Sequence, residues 1–228
     1  MAIIVGIDGT GGAFIPGVTR DAEYDIAFRN SFVRRISHNR GANAHYLRGP
    51  VALGGGLVAA INDGYNFIIR RHASDVTEPI LLTGYSRGAA GIVALAKKLK
   101  NARKDVRAIL MFDCVDRHLV VDSEFIPNNI GHVMHVMRSP NSGSRESFDN
   151  DGLKYSSPTI YPTPQTFMCT HGGMGGCPWP TPIGSSPRDL IDEGLSDGLT
   201  NITYLQDAQV STTVWTSVMP FMTTHGFI

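Results

Sequence analysis

The chain has 228 residues, 42% of them hydrophobic, with Lys+Arg and Asp+Glu balanced at 20 each, so its formal net charge is zero. That length suits one domain, 1–228, with a core of normal size, and the composition excludes a disordered chain. The charge balance excludes a protein built to grip a phosphate backbone, so no nucleic-acid partner is expected. Local basic pairs such as Arg34-Arg35 and Arg70-Arg71 read as solvated helix faces.

The opening MAIIVGIDGTGG carries neither a positive n-region nor an apolar stretch long enough for a signal peptide. Nowhere does the sequence offer the ~18 consecutive apolar residues that a membrane span requires. A cytoplasmic protein without a membrane span is expected, export by a signal-less route being the alternative. Three cysteines, at 114, 169 and 177, make no disulfide framework in a chain of this size. Cys169 and Cys177 flank a glycine-rich loop and could pair, but buried or incidental thiols are the preferred reading. No spacing resembles a metal site, and no cofactor is expected.

Ile3-Ile4-Val5-Gly6-Ile7 is a short β-branched run that ends in Asp8-Gly9-Thr10-Gly11-Gly12. Such a run, bounded by turn residues, predicts a strand buried on both faces of a parallel sheet. Apolar positions at Ile26, Phe28, Phe32, Val33 and Ile36 predict one helix over 21–37. Gly49 to Gly56 reads as a loop. Leu57 to about His72 follows as an amphipathic helix with Ile61, Tyr65, Ile68 and Ile69 on one side.

Pro79 to Thr83 predicts the next buried strand, turning through Gly84-Tyr85-Ser86-Arg87-Gly88 into an alanine-rich helix from Ala89 to about Lys100. Val106 to Phe112 predicts a third strand, ending at Asp113. Strand, helix and strand at this pace make βαβ units, hence an α/β fold with a mostly parallel sheet flanked by helices. After Asp116 the texture changes. Residues 139–198 are rich in Gly, Pro, Ser and Asn and read as a loop-rich segment over the carboxyl edge of the sheet. The apolar residues of 202–222 follow no clean period and receive no assignment.

The strongest chemical signal is Gly84-Tyr85-Ser86-Arg87-Gly88, a Gly-x-Ser-x-Gly between a buried strand and a helix. In that context the motif is a nucleophile elbow, its small flanking residues letting strand and helix approach closely. The helix start adds positive potential where an oxyanion would form. A serine needs a base, and the base needs an orienting acid. Of eight histidines, those at 38, 45 and 72 precede the serine, against the usual Ser…Asp/Glu…His order. His171, inside Thr170-His171-Gly172-Gly173-Met174-Gly175-Gly176, is the leading candidate, and His225 near the C-terminus is its rival. For the acid, Asp113 follows the strand after the elbow helix, with Asp116 in reserve. An ion pair with Arg117 is an equally good account of Asp116. Backbone amides near Gly9 and Thr10, with that of Arg87, are the candidate oxyanion hole.

In this order the blocks resemble a bacterial and fungal α/β-hydrolase domain family that includes the type VI secretion phospholipase effectors. The elbow, with Ala89 after it, is similar to that family's Gly-Phe-Ser-Arg-Gly-Ala. Phe112-Asp113-Cys114-Val115 is similar to its Trp-Asp-Thr-Val. Ile126-Pro127-Asn128-Asn129-Ile130, with His132 and His135, leads to Thr170–Gly176, similar to the Val-His-Ser-Asp-Val-Gly-Gly loop that carries its histidine. Gly172-Gly173 departs from the Ser-Asp of that loop. The resemblance implies an α/β-hydrolase fold, Ser86, Asp113 and His171 as nucleophile, acid and base, and a small-molecule or lipid ester as substrate. Leu119-Val120-Val121, Phe125, Met134 and Met137 are candidates for an acyl pocket. Two other readings compete: a non-catalytic binding module on a hydrolase scaffold, and a nucleotide-dependent phosphotransferase using the Asp8–Gly12 loop. The second lacks a Walker sequence and a second phosphate loop.

Overall fold

The computed structural model describes residues 2–11, 20–38, 40–51, 55–115, 121–150, 152–156, 163–194 and 197–228. Strand β1 (Ile3–Ile7) is buried along its whole length. Two helices, α1 (Arg20–Ala27) and α2 (Phe32–Ser37), lead to β2 (Ala44–Leu47), and α3 (Leu57–Ser74) returns the chain to β3 (Ile80–Tyr85). Helix α4 (Arg87–Asn101) connects β3 to β4 (Val106–Phe112), after which come β5 (Phe125–Ile126) and the long β6 (Ile130–Arg138). Short elements follow: β7 (Lys154–Tyr155), β8 (Gln165–Phe167), the single turn α5 (His171–Met174), β9 (Leu190–Asp192) and β10 (Leu199–Thr203). The last is α6 (Tyr204–His225).

The six-stranded sheet runs β2-β1-β3-β4-β6-β8, and every pairing within it is parallel. The chain starts inside the sheet, moves out to β2, then crosses back over β1 to β3 and continues outward. The winding reverses between β1 and β3, so the crevice of an open parallel sheet lies at their carboxyl ends.

Both faces of the sheet are covered. Val5, Ile7, Leu82, Ile109 and Met111 pack with α3 and α4 on one face. Ile4, Leu81, Ala108, Leu110 and Phe112 pack with α1, α2 and α6 on the other. That double burial is why these strands read as unbroken apolar runs.

The predicted helix 21–37 is two helices. Ser31 breaks it by turning its hydroxyl to local work: it accepts from the Arg34 amide as the cap of α2 and donates to Asp8 Oδ2. Strands β2 and β6 and helix α6 carry no assignment from the sequence. In α6 the buried positions are Tyr204, Asp207, Ser211, Val214, Val218 and Met222, a helical stripe whose first half is interrupted by polar residues. The 139–198 segment holds β7, β8, α5 and β9 besides its loops, and β8 is an edge strand of the main sheet. All three cysteines are free thiols.

Docking of α6 rests on its apolar second half. Met222→Ala, at a fully buried site, is expected to cost about 2–5 kcal/mol of stability, read as a lowered urea midpoint at unchanged m-value.

Candidate active site

Ser86 leaves β3 with φ 57° and ψ −131°, a conformation that L residues rarely adopt. It is held there on both sides. Its amide donates to Phe112 O at 3.0 Å, and its carbonyl accepts from Ala89 N at 3.0 Å. The flanking glycines are a steric requirement. A Cβ on Gly84 would lie 2.7 Å from Ala89 Cα, and one on Gly88 would lie 2.2 Å from the carbonyl oxygens of Ile7 and Asp8. The start of α4 is thereby pressed against the end of β1. The Ser86 hydroxyl makes no capping bond to α4. It faces the crevice instead.

Asp113 follows β4, also at positive φ (45°), and is fully buried. Its Oδ1 accepts from Arg138 N (3.2 Å) and Asn150 Nδ2 (2.8 Å). Its Oδ2 accepts from Arg138 Nη1 (2.6 Å) and meets His171 Nδ1 at 2.6 Å. Burial alone would push this carboxyl up, but His171 and Arg138 together hold it well below the usual carboxylate range. These partners favour the ionised form of Asp113.

His171 opens α5. Its Nε2 lies 2.9 Å from Ser86 Oγ. Its amide donates to Ser144 Oγ (2.8 Å), and its carbonyl accepts from Tyr85 Oη (2.9 Å). The imidazole packs against the ring of Tyr85 (4.9 Å between centroids) and meets the Phe148 ring in a T-shaped contact (5.5 Å between centroids). Thr170 caps the turn, and Asp207 of α6 fixes Thr170 by accepting from both its amide (2.7 Å) and its hydroxyl (2.9 Å). Burial raises the Asp207 carboxyl against the pull of those donors.

The serine, acid and histidine selected from the sequence thus meet at hydrogen-bond distance. His225 is elsewhere, its ring tilted against that of His132, 4.3 Å between centroids, near the amino end of β6. Asp116, with Gly12, Leu119 and Val120, lies outside the described residues. Gly9 does not keep its expected place in the oxyanion hole, because its amide donates to Asp8 Oδ1 at 2.9 Å. Thr10 and Arg87 both line the cavity at the serine. The Arg87 amide belongs to the first turn of α4. Arg87 Nη1 donates to Thr10 Oγ1 (3.2 Å), which ties the start of α4 to the loop after β1.

The cavity over Ser86 has a volume of about 550 Å3. Phe28, Val115, Phe148 and Trp179 give it apolar walls, with Arg145 and Glu193 from the 139–198 segment among the polar ones. The acyl-pocket candidates among the described residues are not on its wall. Val121 is in the core beneath α4, Met134 packs in the opposite core, Phe125 is exposed, and Met137 is not on the cavity wall. Four supporting residues had no role in the sequence reading: Arg138, Ser144, Asn150 and Asp207. Asp207 left a trace, a carboxylate on the buried stripe of an apolar helix. Among the described residues no group of three His, Cys, Asp or Glu side chains is arranged to hold a metal, and no helix is long and apolar enough to cross a membrane.

A parallel sheet in this order, reversing beside a strand-to-helix serine elbow, defines a fold of the α/β-hydrolase type. No protein-family model and no curated protein matches the sequence. Among solved structures, the chain is similar to a protein of Pectobacterium atrosepticum named as a YdeN-like hydrolase, with 14% identity and a TM-score of 0.32. That match covers 60% of this chain and 63% of the other. It is also similar to an uncharacterized protein from Pseudomonas aeruginosa, at 14% identity and a TM-score of 0.42, over 77% of this chain and 42% of that one. The chain spans less than two thirds of either.

Asp8 follows directly on β1, is fully buried, and accepts from Gly9 N, Ser31 Oγ and Tyr46 Oη. Its carboxylate is thus committed to the protein and is not presented to a nucleotide phosphate. Burial drives its pKa from 3.8 to about 6 against those donors. The folded state therefore binds a proton that the unfolded state releases between these values. Stability from this residue is fully present below pH 3.8 and is lost as pH rises to 6, by roughly 2–3 kcal/mol. Asp8→Asn has no such titration. Between pH 5 and 7 the wild type should lose stability relative to this variant, and urea midpoints that move in parallel would remove Asp8 as the source.

Proposed function

We propose that this protein is a serine hydrolase that cleaves acyl esters through Ser86, His171 and Asp113. The observation that carries the reading is the continuous chain from Ser86 Oγ to His171 Nε2 (2.9 Å) and from His171 Nδ1 to Asp113 Oδ2 (2.6 Å), with the serine held on a strained elbow. A non-glycine residue at such a φ costs about 1–3 kcal/mol, and strain of this kind clusters at functional sites.

In this mechanism His171 Nε2 takes the Ser86 proton as Oγ attacks the ester carbonyl. The negative charge on the tetrahedral carbonyl oxygen is met by the amides of Thr10 and Arg87, and one such donor is typically worth ~2.7–4 kcal/mol of transition-state stabilisation. Asp113, ionised, holds the imidazole in the required tautomer and stabilises the imidazolium. Collapse returns the proton to the departing alcohol and leaves an acyl-enzyme. Water, activated by His171 from the same side, then releases the acid and restores the serine.

The apolar walls of the cavity suit an acyl chain, and its arginines and Glu193 suit a polar or charged remainder. The likeness of the elbow, the Asp113 block and the His171 loop to the phospholipase-effector family supports a lipid ester as the first substrate class, with small soluble esters second. Activity-based labelling with a fluorophosphonate tests the nucleophile directly. Wild type is expected to label, Ser86→Ala not at all, and Asp113→Asn to fall by about 10⁴ through loss of the tautomer. A panel of p-nitrophenyl esters and phospholipids then separates the substrate classes. Well-folded wild type that resists the probe and hydrolyses none of the panel would transfer support to a binding module on this scaffold.

A further inference from the structure

Strand β6 ends on Arg138, whose guanidinium is buried (6% exposed) although no step of acyl transfer uses it. Its Nε donates to Ser144 O at 2.8 Å, and its Nη2 donates to Arg145 O at 3.0 Å and to Phe148 O. Those three carbonyls belong to the segment that supports the imidazole, since Ser144 accepts from the His171 amide and Phe148 packs its edge on the ring. As a tie for that segment, Arg138 would need nothing more. Yet Nη1 reaches Asp113 Oδ2 at 2.6 Å, the same oxygen that His171 Nδ1 meets at 2.6 Å. A guanidinium is always charged. Placed on that oxygen, it competes for the negative charge that would otherwise stabilise a protonated imidazole.

We propose that Arg138 is a positioning residue that weakens the hold of Asp113 on the His171 proton, keeping the imidazole free to act as a base at lower pH than an unshared carboxylate would permit. The inference rests on the serine-hydrolase reading and assigns one of its residues a task in setting the working pH.

The other groups around the ring do not supply this effect. Tyr85 packs on the ring, but burial drives its hydroxyl well above the ordinary tyrosine value, so it is neutral. Burial likewise pushes the Cys177 thiol far up, and it too is neutral. Arg145 and Glu193 reach the cavity wall, where Arg145 pairs with Asp197 at 2.7 Å and with Glu193 at 3.8 Å. Glu193 accepts from Ser144 Oγ and the Arg145 amide, so these charges are engaged with one another rather than with the ring. Arg87 is turned to Thr10 on the oxyanion side, and Asp207 reaches the imidazole only through Thr170.

The test follows fluorophosphonate labelling rates of the full chain against pH, from about 4.5 to 9, for wild type, Arg138→Met and Arg138→Lys. In Arg138→Met the acid limb is expected to move up by about one unit, the size of a lost neighbouring charge, while the plateau rate falls about tenfold. Arg138→Lys keeps the charge and loses the fork, so its limb should stay in place while its plateau falls. A plateau that falls in Arg138→Met with an unmoved limb overturns the proposal and leaves Arg138 a structural tie. Should the methionine variant not fold, Arg138→Gln, which can still donate to a loop carbonyl, reads the same limb. Failure of the parent reading looks different: well-folded wild type then takes up no probe at any pH.

Discussion

The site depends on one buried charge. Asp113 sits at the end of β4 with no exposed surface and keeps its ionised form because a backbone amide, a carboxamide, a guanidinium and an imidazole all converge on it. An isolated carboxylate in that place would take up a proton, and a neutral acid would no longer orient the imidazole as an acceptor for the serine proton. Each of the four partners comes from a different stretch of chain or a different atom of Arg138. The carboxylate therefore fixes the relative positions of β4, β6, the segment at 144–150 and α5 at once. Breaking such a buried pair on one side is much more costly than never having built it.

The second constraint is contact without side chains. Gly84 and Gly88 let α4 begin in van der Waals contact with the strand before it and with the end of β1. That contact brings Thr10 and Arg87 to the same wall as Ser86. The reversal of winding between β1 and β3 opens the crevice, and the glycines set its width.

How far the sequence reveals this depends on how each element is buried. Strands β1, β3 and β4 are covered on both faces and so are written as apolar runs between turn residues, which is the signal that pattern reading detects. Helix α3 has one exposed side and shows its period. Strand β2 is only partly buried and carries no β-branched residue. Strand β6 mixes histidines, methionines and arginine because its far end serves the site. Helix α6 hides its stripe behind Asp207 and Ser211, which are buried because they are bonded or tightly packed, not because they are apolar. The serine, acid and histidine could be chosen from motif and order. Their supports could not, since Arg138 and Asp207 act through contacts 25 and 37 residues away in sequence, and no local pattern encodes a distant partner. Gly9 illustrates the reverse case: the turn after β1 was legible, but the use of the Gly9 amide by Asp8 depends on which way a side chain turns.

Helix α6 has a consequence in time. The elbow, the acid and β1 are all encoded before residue 115, while the carboxylate that fixes Thr170, and with it the imidazole, belongs to α6, an element made well after them. A nascent chain can close β1, β3 and β4 around the serine well before Asp207 emerges. The serine's local geometry draws on residues made early, whereas the seat of its partner histidine draws on α6. Order of synthesis separates the making of the site from its arming.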